Sequence, residues 1–195
     1  MYGIYNNGNV IAQFVTPMSV ISNVPTFDSD TMSLKRNVQR MTAQRWEITS
    51  RVQPLSTDAN ELFALLVSKG SFDTLEVTMP QNTGAIHKRV ITTAVKPKGT
   101  GDVDGLTFTV TSANTIPVGT FIRFANHSKI YLLTSKAGSI YGIYPALQSA
   151  VLDESFDWLD DVIMPVYLEP GSMTGMSYSD GILMDNGEMK FVEAL

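Results

Sequence analysis

The chain has 195 residues, 44% hydrophobic and 17% charged, with 14 Lys and Arg against 19 Asp and Glu for a net charge of −5. That is the size of one domain, or of a small domain with a second inserted in it, and it is too apolar for a disordered or collagenous chain. A count of zero cysteines excludes a disulfide scaffold, a thiolate metal site and a thiol nucleophile, and two histidines leave little for a metalloenzyme or a Ser-His-Asp site.

The chain opens on Asn6-Asn7-Gly8-Asn9, a turn signal because Asn and Gly tolerate positive φ. Its flanks, Gly3-Ile4-Tyr5 and Val10 to Val15, read as a hairpin. Pro17 and Pro25 predict a loop or irregular edge over 16–30. Leu34 to Met41 alternates weakly and is expected to be a partner strand or arm. Residues 44–53 read as a strand: Trp46, Ile48, Ser50 and Val52 fall on one face, and Arg45, Glu47, Thr49 and Arg51 on the other.

Helix 59–69 follows, with Ser56-Thr57-Asp58 as the N-cap, Glu61 completing a capping box, and Gly70 at the C-terminal stop. Leu62, Leu65 and Leu66 should face a sheet. A strand over 72–79 buries Leu75, Val77 and Met79 and stops at Pro80. From 81 to 165 the texture changes to short β runs at 89–95, 105–111, 119–124, 129–134, 139–144 and 161–168, broken by Gly and Pro. Such spacing predicts a small β-barrel or sandwich, with 96–101 and 153–161 as outer connections. Residues 175–195 could return to the first sheet as one or two strands. The expected fold class is mainly β (α+β). Its core, a β-sandwich or barrel-like body with one short helix, comes from 1–80 and 166–195, and 81–165 forms an inserted small β-barrel.

Charge is uneven. Residues 1–99 hold ten Lys/Arg and seven Asp/Glu, a net of +3, whereas 100–195 hold four and twelve, a net of −8. The basic side gathers at Lys35, Arg36, Arg40, Arg45 and Arg51, and the acidic side at Asp153, Glu154, Asp157, Asp160 and Asp161. Two such faces could steer one subunit onto the next; the plainer alternative is two solvated faces. No run approaches the roughly 18 apolar residues of a spanning helix, and residues 1–8 do not read as a signal peptide.

Sites for chemistry are weak. Asp102-Val103-Asp104-Gly105 opens like a calcium loop but runs into an apolar strand, so an acid-rich turn is expected. The acids of 153–161 could pair for glycoside hydrolysis or hold a metal; a solvated loop is the simpler reading. Trp158 could be a sugar platform or a buried anchor. His87 and His127 sit in turns and should be exposed, with no nucleophile or metal partner nearby. The basic stretch lacks interleaved aromatics, and with a pI near 4.9 it does not point to nucleic acid.

The order of these pieces resembles the distal tail and baseplate structural proteins of tailed bacteriophages. The resemblance is carried by Arg45-Trp46-Glu47-Ile48, then Leu62-Phe63-Ala64-Leu65-Leu66 leading to Lys69-Gly70-Ser71-Phe72, then Leu75 to Pro80. It continues through Pro117-Val118-Gly119-Thr120-Phe121, Lys129-Ile130-Tyr131-Leu132-Leu133 and Ile143-Tyr144-Pro145, and ends on Phe191-Val192-Glu193-Ala194-Leu195. It covers roughly 40–195. It departs from the family pattern at Ser68-Lys69-Gly70 and in 165–180, which lacks a Gly-Trp stretch.

The resemblance implies a virion component assembled in the bacterial host cytoplasm, forming a ring of identical copies, expected to be a hexamer, at the tube–baseplate junction. Its partners would be the tail tube and other baseplate or tail-tip proteins. It implies no catalysis, cofactor, metal, nucleic acid or membrane. Lys35, Arg36, Arg40, Asp157, Asp160 and Asp161 are the expected contact residues, chosen from charge alone. A ring subunit needs two different faces in head-to-tail contact, and N-terminal arms and edge strands could supply β-augmentation. Two alternatives stand beside it: a carbohydrate-binding or other β-barrel binding module without catalysis, using Trp158, Tyr131, Tyr141 and Tyr144, and a host cytoplasmic β-barrel protein.

Overall fold

The computed structural model describes residues 2–30, 36–40, 43–54, 59–69, 72–81, 96–111, 116–158, 162–172, 177–179, 182–185 and 187–195. Within them the chain is mainly β, with sixteen strands and one helix, as expected. All the strand pairs are antiparallel, in two main sheets and two two-stranded ribbons.

The first sheet orders β1 (Gly3–Asn6), β2 (Asn9–Asn23), β5 (Arg45–Pro54), β16 (Glu188–Glu193), β13 (Ile163–Leu168) and β6 (Leu75–Thr78), and β6 pairs back onto β1 to close it. The hairpin turn has Asn7 and Gly8 at φ 48° and 82°, the two left-handed residues that a tight turn matched to strand twist requires. In β5, Trp46, Ile48, Ser50 and Val52 are buried, as the alternation predicts. Helix α1 (Ala59–Lys69) buries Leu62, Leu65 and Leu66 in the same core and leaves Phe63 and Val67 exposed. Glu61 accepts a hydrogen bond from Asn6 Nδ2 at 2.7 Å, tying the helix start to the hairpin turn. The expected caps, Ser56 to Asp58 and Gly70, lie outside the described residues, as does the 89–95 run.

The second sheet orders β10 (Ile130–Ala137), β11 (Ile140–Tyr144), β8 (Thr107–Val110), β7 (Lys98–Gly101), β12 (Val151–Asp157) and β9 (Phe121–Phe124), and β9 pairs with β10 to close the order. Phe108, Phe124, Tyr131, Tyr141 and Phe156 fill it, largely edge to face. Gly99 is required there: a Cβ would lie 2.7 Å from the Phe108 ring.

Three expectations are corrected. Of the two expectations for 16–30, the irregular edge holds and the loop does not: β2 runs on to Asn23 past a register shift, and β3 (Thr26–Asp30) follows. Pro17 is tolerated because it sits where the β2–β5 register shifts, between Val15 and Ser19, so its missing N–H breaks no regular ladder. The tracts 96–101 and 153–161 are not both outer connections: they supply β7 and most of β12, which pair with each other across a bulge where Asp153 takes φ 53°. The 161–168 run supplies a strand not of the second sheet but of the first, between β6 and β16. The C-terminal return is β16, and a short ribbon of β14 (Ser177–Ser179) and β15 (Ile182–Asp185) precedes it.

Candidate interaction surface

β3 pairs with β4 (Arg36–Arg40) as a two-stranded ribbon that falls between β2 and β5 in chain order. Register runs from Ala12 opposite Pro54 to Asn23 opposite Arg45, then from Thr26 opposite Arg40 to Asp30 opposite Arg36. The two pairs are nested in the chain, β2–β5 in the first barrel and β3–β4 as a two-stranded arm. β1 covers β2 only as far as Gln13, and β16 covers β5 only from Glu47 to Arg51. Beyond Asn23 the arm spans about 25 Å if extended. Neither of its edges has a strand partner among the described residues.

The expected contact residues fall unevenly. Arg36 and Arg40 lie on the arm, at register positions facing Asp30 and Thr26. Lys35, Asp160 and Asp161 lie outside the described residues. Asp157 lies at the end of β12; its side chain is 13% exposed and ion-paired to Lys96, so its charge is largely spent inside the subunit.

Among the described residues, part of the charge split is met by contacts inside the subunit. Residues 96–158 hold five Lys/Arg and five Asp/Glu and are neutral. Of the −8 in 100–195, residues 162–195 hold half, five acids against Lys190, and Asp160 and Asp161 add two more acids outside the described residues. That segment folds back on the basic strand: Glu188 stands opposite Arg51, and Lys190 bridges Glu169 at 3.0 Å and Glu47 at 3.2 Å. Hydrogen bonds to Glu169 and Glu47 raise the Lys190 pKa, and an Asn23 hydrogen bond, then Lys190, hold the Glu47 carboxyl below its usual range.

The two sheets are joined by a buried polar cluster that sequence reading missed. Lys129 Nζ donates to Glu193 Oε2 at 2.6 Å and to the Gln44 carbonyl at 2.7 Å. Glu193 also accepts from the Trp46 and Ile130 backbone N–H groups, at 3.1 and 3.0 Å. Trp46 Nε1 donates to the Ile130 carbonyl at 2.9 Å, and its ring meets Phe121 edge-on. Burial pulls the Lys129 pKa down, opposed by Glu193. Beside this cluster the Gln81 amide reads Phe121 both ways, donating to its carbonyl at 2.7 Å and accepting from its N–H at 3.0 Å. Arg123 reaches back to the Ile163 carbonyl at 2.7 Å. The available signal was a charge inside each of two apolar runs, Lys129 before Ile130-Tyr131 and Glu193 after Phe191-Val192.

His127 is half-buried, not exposed as expected; His87 lies outside the described residues. Asn126 Nδ2 donates to the Ala150 carbonyl, which turns Oδ1 toward His127 Nδ1 at 2.6 Å. Nδ1 therefore carries the proton, and Nε2 accepts from the Tyr131 hydroxyl at 2.7 Å. That hydroxyl in turn accepts from Gln148 N–H, and burial pushes its pKa up to about 12. Burial lowers the His127 pKa, so the neutral ring is the folded form. A proton on Nε2 would leave the phenol without an acceptor.

This contribution to stability is full above the unfolded pKa near 6.5 and is lost as pH falls through it toward the lower folded value. Thermal melts from pH 8 to pH 5 should show the loss, each kcal/mol appearing as about 2–4 °C in Tm for a chain of this size. His127→Asn should flatten the slope; equal slopes would remove His127 from the account.

The aromatic residues expected to form a sugar platform are mostly interior: Trp158, Tyr131 and Tyr141 are at most 5% exposed, and Tyr144 packs edge-on to Trp46. Asp102 to Gly105 form a turn, closed by Gly105 N–H on the Asp102 carbonyl. Among the described residues no three His, Cys, Asp or Glu side chains group as metal ligands, and no helix is long and apolar enough to cross a membrane. Compared with known protein families and with curated proteins, the sequence matches none.

Proposed function

We propose that the protein is a structural subunit of a bacteriophage tail, forming a ring at the junction of tail tube and baseplate and linking the two. The observation that carries this reading is the β-hairpin arm, which leaves the first barrel with both edges unpaired among the described residues and bears Arg36 and Arg40. An open strand edge is a template for another chain, and natural folds cover such edges unless pairing is their use. The motif order from Arg45-Trp46 to Glu193-Ala194-Leu195 points the same way. In this reading the work is mechanical, with no catalysis and no cofactor. The ring is a hexamer, its other partners are the tube and neighbouring tail-tip proteins, and it is assembled in the host cytoplasm before it enters the virion.

The mass of the full chain in solution tests this, together with its presence in purified tails. A ring-sized oligomer is expected. Arg36→Glu with Arg40→Glu should weaken assembly, with a salt dependence altered from the parent's because two charges at the contact are reversed. A strict monomer that is also missing from particles would sink the proposal.

A further inference from the structure

We infer that the joint between the two barrels is acid-sensitive through His127: a proton added to its imidazole releases the turn between β9 and β10 and loosens the Lys129–Glu193 contact, and that contact in turn holds His127 neutral. The inference is independent of the ring reading above. Residues 125–129, which join β9 to β10, are pinned from two sides. On one side His127 Nδ1 donates to Asn126 Oδ1 at 2.6 Å, with Ser149 Oγ at 3.1 Å, and Nε2 accepts from the Tyr131 hydroxyl at 2.7 Å. On the other, Lys129 Nζ and Ile130 N–H donate to Glu193 of the first barrel at 2.6 and 3.0 Å. Lys129 and Ile130 thus bind the first barrel, and the next residue, Tyr131, binds the imidazole.

A second proton has no acceptor here. Nε2 would face the Tyr131 hydroxyl as a donor. That hydroxyl, which already accepts from Gln148 N–H at 2.9 Å, would lose the acceptor of its own proton. Among the described residues no carboxylate is bonded to the imidazole. Phe124 of β9 stacks on it at 5.8 Å, Tyr131 faces it from β10, Gln148 and Ser149 of the β11–β12 connection are neutral, and the Lys129 ammonium is turned to Glu193 of β16. Burial is what lowers its pKa. The imidazole is half-buried, so its charged form gains water by rotating outward, which gives up Asn126, Tyr131 and Ser149 together. Lys129 lies two residues on, with its side chain 5% exposed and fixed on both Glu193 and the Gln44 carbonyl, so a shift of the turn is felt at the joint. Such linkage is reciprocal: whatever loosens the joint makes the imidazole easier to protonate.

Nuclear magnetic resonance of the full chain tests this through two readouts. The first is protection against hydrogen exchange, corrected for intrinsic rates, at the Ile130 amide and at the Trp46 indole, which donates to the Ile130 carbonyl. In the parent both should lose protection as pH falls from 8 to 5, with the imidazole C–H signals of His127 moving in step, and in His127→Asn both should stay level. The second readout is the His127 titration in Glu193→Gln. Removing a negative charge would by itself lower the His127 pKa, whereas a loosened joint should raise it toward the ordinary value near 6.5, so the two causes have opposite signs.

Protection that stays level in the parent, or that falls equally in His127→Asn, overturns the inference. So does a His127 pKa that falls or stands still in Glu193→Gln. Where either variant fails to fold, the parent's own pH series decides: loss of protection in step with the His127 signals supports the linkage, and loss out of step with them overturns it.

Discussion

Glu193→Ala should destabilise the protein by about 3–5 kcal/mol, the cost of breaking a buried ion pair from one side. The carboxylate is fully enclosed and accepts three hydrogen bonds: from Lys129 Nζ and Trp46 N on one oxygen and from Ile130 N on the other. Its removal leaves two buried N–H groups without partners and a buried ammonium held only by the Gln44 carbonyl. Lys129→Met should cost less, because the carboxylate keeps both backbone donors and the apolar stem is replaced in kind. The order of the two variants therefore separates a carboxylate that organises three strands from a simple charge pair. Urea denaturation read through Trp46 and Trp158 fluorescence measures both. Since Glu193 closes β16, Trp46 lies on β5 and Ile130 begins β10, the loss should appear as one transition for both sheets. A cost below about 1 kcal/mol would show that the barrels do not depend on this junction.

Much of the first sheet is legible from local pattern. The alternation of 44–53, the Asn7-Gly8 turn and the leucine face of the helix each depend on neighbours within a few residues, and each stands as expected. Pro17 misled because a proline in a strand reads as a stop unless a bulge is known to receive it, and that bulge is set by the partner strand β5. The 161–168 run misled differently. Its apolar texture matches the strands before it, and only its pairing with Leu75 to Thr78 and with Phe191 to Glu193 assigns it to the first sheet. Long-range closure also hid the cluster at the junction, where Lys129 and Glu193 lie 64 positions apart.

The candidate contact residues show the same limit. The basic tract is visible as composition, yet its place on an arm follows from a hairpin whose register the sequence does not print. Asp157 looked like a free acid until the fold brought Lys96 to it. Part of the charge split is met inside the fold, where β16 sets Glu188 opposite Arg51 and Lys190 bridges Glu169 and Glu47.

Excising Thr26–Arg40 and joining Pro25 to Met41 through an Asn-Gly turn should abolish assembly while leaving the barrels folded. Among the described residues the excised strands pair only with each other, and Ser22 and Gln44, which bond to each other at 3.0 Å, stay in place, as does the Ser22 contact with Tyr144 at 3.2 Å. Shortening a flexible connection changes closure entropy by well under about 1 kcal/mol, so Tm should move by only a few degrees at most. The arm, by contrast, holds the open edges and the two arginines on which the ring reading rests. Mass photometry of the excised and parent chains, paired with their melting curves, separates the two effects. A ring of full size from the excised chain would place the assembly contacts elsewhere, and the exposed helix residues Phe63 and Val67 with the 94% exposed Phe72 would be the next surface to change.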